Sequence, residues 1–165
     1  MPVYHATLAA APSGVAGVFH TLRLMRAMIK RARCDPAIIQ AAHSIIWLTP
    51  ERNHHAEATA LFEWVRDTVR YVQDVAGVET LTYPPMTLQR LTGDCDDQTA
   101  LLCSLLESVG YPTRLVMTGY TGTDFEHVYC QVLLGNQWVD CDPIERRFAL
   151  GDAPPNPSRV FVESV

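Results

Sequence analysis

The stretch from Gly93 to Val109 constrains this chain more than any other. Ala100-Leu101-Leu102-Cys103-Ser104-Leu105-Leu106 is apolar at nearly every position. A helix running through it has no polar face to offer water, so other elements must enclose it. The start signals stand just before. Asp94 can cap the helix, Asp97 three residues on makes a weak capping box, and Gly93 permits a sharp backbone entry. Gly110 stops the helix and Pro112 prevents its resumption. Cys95 then falls on the first turn, where the peptide dipoles favour thiolate. Free cysteines usually just fill space in a core; the polar, turn-like run before Cys95 sets this one apart.

The rest of the composition bounds what can surround such a helix. The chain has 165 residues, 48% apolar and 19% charged, enough for one domain, taken as residues 1–165, with a proper core. A net charge of −5 argues against a sequence-independent nucleic-acid binder and a polybasic membrane anchor. No apolar run approaches the length of a membrane span. Met1 to Ala6 lack a basic leader, so a signal peptide is not expected and a reducing cytosol is. The five cysteines (Cys34, Cys95, Cys103, Cys130, Cys141) are odd in number and show no C-x-x-C pair. No metal site and no cofactor is called for. Cys130 and Cys141 lie in consecutive strand-like runs and are expected as neighbours, but not as a disulfide.

Residues 1–14 read as an irregular lead-in. Val15, Val18, Phe19, Leu22, Met25 and Ile29 then follow a helical stripe, with Arg23, Arg26, Lys30, Arg31 and Arg33 on other faces. That basic run is a solvated face by default, with an anionic partner as the alternative. Asp35-Pro36 starts a second helix through Leu48, and Thr49-Pro50-Glu51 a third, to about Gln73, packing Leu61, Trp64, Val65 and Val69. His5, His20, His43, His54 and His55 show no ligand-like spacing. Asp74 to Arg90 reads as a connector, extended at Tyr83-Pro84-Pro85. Beyond Gly110 the period changes. Thr113 to Tyr120, Glu126 to Leu134 and Gln137 to Cys141 alternate like strands, the last two joined by a Gly135-Asn136 turn. Arg159 to Val165 is a candidate edge strand. Helices first and antiparallel strands second indicate α+β.

A nucleophilic cysteine needs a base, and the base an orienting partner. His127, the only histidine after Cys95, starts one strand; Asp142 follows the end of the next. In an antiparallel hairpin those two places lie side by side. Asp140 is a rival on the same face, deeper along the strand.

The motifs Gly93-Asp94-Cys95, Gly110 to Gly119, His127-Val128-Tyr129 and Trp138-Val139-Asp140-Cys141-Asp142-Pro143 resemble the transglutaminase-like superfamily. Its members share a circularly rearranged papain-like core. The resemblance covers about Trp64 to Pro143, leaving a helical part over about 15–73 and a C-terminal loop and edge strand over 144–165. It implies Cys95 as nucleophile, His127 as base and Asp142 as orienter. Gly-Asp-Cys-Asp-Asp is also similar to small proteins of this type encoded by tailed phages and prophages. Such an origin implies a bacterial cytoplasm or a virion as setting, and phage structural proteins as partners. Tyr129 stands where the family often has tryptophan, and Gln131 where it often has an acidic residue.

The chemistry these residues suit is acyl transfer from a protein or peptide amide to water or an amine, as in a protease, amidase, deamidase or transglutaminase. The Cys95 N–H is the natural oxyanion donor, with Gln89 and Tyr83 as candidates for a second donor or for the rim. Asp94, Asp96 and Asp97 read first as capping and dipole-complementing residues. They oppose thiolate formation. Binding a cationic group of the substrate is their functional alternative, and a calcium site a third reading. The competing hypothesis for the whole chain is a phage virion or assembly component that keeps the fold without catalysis.

Overall fold

The computed structural model describes residues 14–74 and 80–165. The lead-in before residue 14, with His5, lies outside them, as does part of the connector. The elements run α1 (Val15–Ala32), α2 (Pro36–Ile46), α3 (His54–Thr68), β1 (Arg70–Tyr71), α4 (Pro84–Arg90), β2 (Thr92–Gly93), α5 (Cys95–Ser108), β3 (Thr113–Gly119), β4 (His127–Leu134), β5 (Gln137–Cys141) and β6 (Arg159–Ser164). Helices precede an antiparallel sheet, so the class is α+β.

The apolar helix α5 is enclosed. It touches α1, α2, α3 and α4 on one side and β3 and β4 on the other. Every residue from Asp97 to Leu106 is buried. Each buried leucine contributes roughly 1.5–3 kcal/mol by leaving water. The polar members of the helix are satisfied locally. Gln98 Nε2 donates to Gly93 O at 3.0 Å, Thr99 Oγ1 to Val128 O at 3.2 Å, and Ser104 Oγ to Ala100 O at 2.7 Å. Gly110, at φ 94°, turns the chain out of the helix in a conformation that favours glycine.

The four-stranded sheet has the order β5-β4-β3-β6, so the last strand of the chain is an edge. Val128, Cys130 and Val132 of β4 join the helical core, while His127, Tyr129 and Gln131 alternate to the other face. Cys130 pairs directly with Cys141; both thiols are free and buried.

Three local readings change. The stretch Pro84–Arg90 is a helix, because Pro84 and Pro85 occupy its first positions, where a missing N–H costs nothing. The third helix starts at His54 behind an Asn53 cap, whose side chain accepts the Ala56 N–H, and ends at Thr68. There Val69 turns extended and leads into β1. The parallel pairing of β1 with β2, Arg70 with Thr92 and Tyr71 with Gly93, is two residues long and leaves no period in the sequence. The basic face of α1 is partly used within the chain. Arg26 pairs with Glu163 and Arg33 with Glu107, while Arg31 lies over the Tyr83 ring.

Candidate active site

Cys95 is the first residue of α5, and the cap behind it is explicit. The Asp94 side chain accepts the N–H groups of Asp96 and Asp97 at 3.1 and 3.2 Å, and Asp94 O accepts that of Gln98. These caps leave the Cys95 N–H aside. Asp97 completes a capping box, its carboxylate accepting the Asp94 N–H. It is 5% exposed, and its Oδ1 accepts the Thr82 N–H at 2.7 Å, tying the connector to the helix start. Gly93 is needed for space rather than for unusual dihedrals. A Cβ there would sit 2.5 Å from Asp97 Cβ.

The thiol rests against β4. The Val128 N–H is directed at the sulfur, and Val128 follows His127 in the chain. Burial nevertheless pushes the Cys95 thiol well up, and the charges of Asp96 and Asp94 push the same way. The thiol donates to Asp96 Oδ1 at 3.5 Å. The dipole argument for a thiolate is thus outweighed in the resting structure by desolvation and two carboxylates.

His127 and Asp142 are in contact. His127 Nε2 lies 2.8 Å from Asp142 Oδ2, and the Asp142 side chain is 1% exposed. Asp142 Oδ1 also accepts the Ile144 N–H at 3.1 Å, which fixes the carboxylate from the far side. Asp140 serves other groups. It accepts from Gln131 Nε2 at 2.7 Å and bonds the Tyr129 hydroxyl, whose ionisation burial and this carboxylate both suppress. Tyr129 stacks on the imidazole with ring centroids 6.1 Å apart. Gln131 in turn accepts from Arg114 Nε at 2.6 Å.

The remaining candidates are more scattered. Tyr83 caps α4 with its ring under Arg31, and Gln89 is exposed on α4. Asp94 and Asp96 flank the cysteine, half-buried. Burial raises Asp94 to about 6, against the pull of its two capped amides, and Asp97 and Asp74 raise it further. A residue that pattern reading passes over stands beside them. Tyr71, 47% exposed, lies within electrostatic reach of Cys95, Asp94, Asp96 and Asp74. Its only signal is the two-residue pairing of β1 with β2. Among the described residues no group of three or more His, Cys, Asp and Glu side chains is placed to hold a metal ion. None of the described helices is long and apolar enough to cross a membrane. A cleft of about 510 Å³ involving Glu107, Tyr111 and Trp138 lies at the other end of α5, roughly 20 Å from Cys95 at 1.5 Å per residue.

Cys95, at a helix start, thus packs against β4, whose first residue, His127, meets Asp142 just beyond the end of β5. The sequence matches the transglutaminase-like superfamily over residues 41–143, and the chain belongs to that superfamily. A comparison with curated protein sequences returned no significant match. Among solved structures, the chain is similar to a candidate cysteine protease from Cytophaga hutchinsonii, at 17% identity and TM-score 0.54, covering 78% of this chain and 50% of that one. It is also similar to a candidate protease from Parabacteroides distasonis, at 10% identity and TM-score 0.61, covering 87% and 29%. Calcium-bound Legionella pneumophila LapG matches at 14% identity and TM-score 0.57, covering 85% and 87%. At these identities the likeness is one of fold. The chain spans half or less of the first two proteins.

Proposed function

We propose that the protein is a cysteine-dependent acyl-transfer enzyme acting on protein or peptide amides, with Cys95 as nucleophile, His127 as base and Asp142 as orienter. The single observation that carries this reading is the 2.8 Å His127–Asp142 contact on the strand against which Cys95 packs. With Nε2 committed to Asp142, Nδ1 is the imidazole atom that would take the thiol proton. Sulfur then attacks the carbonyl carbon, and the proton returns from His127 to the leaving nitrogen. Water or an amine releases the acyl group. Because the thiol rests protonated, His127 works here as a general base during attack rather than within a standing ion pair. Asp94 and Asp96 would favour a cationic group near the scissile bond. The run Gly93 to Asp97 supports a phage-encoded enzyme working in a bacterial cytoplasm or on a virion, with phage structural proteins among its partners.

The second reading is a non-catalytic assembly component. The burial of the thiol and the carboxylates around it favour that alternative. Acylation by p-nitrophenyl acetate separates the two, with exposed Cys34 as internal reference. Catalysis predicts that Cys95 is acetylated faster than Cys34, and that His127→Ala slows Cys95 alone by about 10²-fold or more. Acetylation of Cys95 at or below the Cys34 rate, indifferent to His127, would leave the scaffold.

A further inference from the structure

Resting on the cysteine-dependent reading above, we propose that the Tyr71 hydroxyl is the second hydrogen-bond donor to the oxygen that becomes negative when a carbonyl is attacked at Cys95, beside the Cys95 backbone N–H. The backbone brings it there. Tyr71 pairs with Gly93, two residues before the cysteine, and Val72 N–H donates to Gly93 O at 3.1 Å. Residues paired across strands show their side chains on one face. The face of Gly93 is identified by what a Cβ would meet there, namely Asp97 in the first turn of α5. Tyr71 therefore rises on the side of that first turn. Cys95, Asp94, Asp96 and Asp74 all lie within electrostatic reach of its phenol. It is 47% exposed, so an incoming substrate can touch it.

Of the other candidates, Tyr83 has its ring under Arg31 and Gln89 is exposed on α4. The electrostatics suit a donor. Partial burial and the surrounding anions hold the phenol above its ordinary range, so it keeps its proton where a lone tyrosine could lose it. The same anions would repel a developing oxyanion, which makes a fixed O–H beside it worth more.

Two reagents that share the sulfur but differ in their transition states test this. With p-nitrophenyl acetate, the sulfur forms a bond to the acetyl carbon and the carbonyl pair moves onto oxygen. The thiol proton passes to His127 and then to solvent. The oxyanion collapses and p-nitrophenolate leaves with the C–O pair. With iodoacetamide, sulfur displaces iodide and no oxyanion forms. Tyr71→Phe keeps the ring and is expected to slow acetylation of Cys95 by about 10²-fold while leaving its alkylation within about two-fold, both read by peptide mass spectrometry. Unchanged acetylation overturns the proposal. So does an equal fall in both rates, which would place Tyr71 on the thiol rather than on the oxyanion. If the unsubstituted protein shows no His127-dependent acetylation of Cys95, the enzyme reading fails first and takes this one with it.

Discussion

The two halves of the candidate site are built in opposite ways. On the sheet, the polar groups are linked in a chain of hydrogen bonds. Arg114 holds Gln131, Gln131 holds Asp140, Asp140 takes the Tyr129 hydroxyl, and Asp142 joins His127 to the Ile144 amide. At the helix start, like charges crowd together instead. Asp94 and Asp96 bracket a thiol that burial and their charges hold protonated, and Tyr71 lies within electrostatic reach of all three. Strand register can align a fixed pair of side chains without any adjustable loop. A helix terminus offers a positive dipole, but this one has drawn in carboxylates that cancel it for the sulfur. The sheet half is therefore pre-organised, while the helix half holds its sulfur protonated, first by burial and then by the two carboxylates.

Breaking the sheet half has the largest expected effect. Asp142→Ala removes the carboxylate that meets the imidazole, and acetylation of Cys95 is expected to fall by about 10⁴-fold, the size seen when a triad loses its third member. Asp140→Ala breaks the Gln131 and Tyr129 contacts but not the one to His127, and is expected to cost no more than about five-fold. Rate constants from the p-nitrophenolate burst compare them. Equal losses in the two variants would mean that Asp142 serves the fold of the hairpin rather than the histidine.

The asymmetry also explains what the sequence shows and hides. The α5 core, the three strands beyond Gly110 and the His127–Asp142 contact follow from period and hairpin register, which act over many residues. Asp140 and Asp142 share a face, so alternation alone does not choose between them; depth along the strand does. The helix side rests on single contacts with no period. Asp97 reaches Thr82 as well as back to its own cap, and Gly93 is needed for space rather than for φ. Two prolines begin α4 where the sequence suggests a stiff extended run, because proline fits both. Tyr71 is placed by a two-residue strand pair, and no local pattern announces it. Electrostatics were legible in sign but not in outcome. The helix dipole and the acidic run are both visible in the chain, and only burial decides that the acids win at Cys95.

The helix half can be sharpened by removing one charge. Asp96 accepts the thiol proton's hydrogen bond and is the stronger of the two carboxylates that raise the thiol. In Asp96→Asn the sulfur is easier to ionise. A shift of about one unit raises the thiolate fraction about ten-fold, and the lower nucleophilicity of a less basic thiolate returns part of that. Alkylation of Cys95 by iodoacetamide at neutral pH is expected to rise about three- to five-fold, with no change at Cys34. A slower or equal rate would show that the Asp96 hydrogen bond positions the sulfur rather than restrains it.

The smallest effect separates the charge of Asp94 from its cap. Its carboxyl is held at about 6 in the folded chain, first by burial, against roughly 3.9 when unfolded. Between those values the folded protein keeps a proton that the unfolded chain has released. Stability therefore falls as pH rises through that window and is level above it. Asp94 is only half-buried, so solvent screening reduces the loss to on the order of 1 kcal/mol. Asparagine caps a helix about as well as aspartate and does not ionise. Asp94→Asn is thus expected to match the parent protein near pH 4 and exceed it by about that amount at pH 7, read from urea midpoints at each pH. If the variant is weaker at both pH values, the negative charge on the α5 amides outweighs its burial. The crowding of carboxylates around Cys95 would then stabilise the helix start rather than cost it.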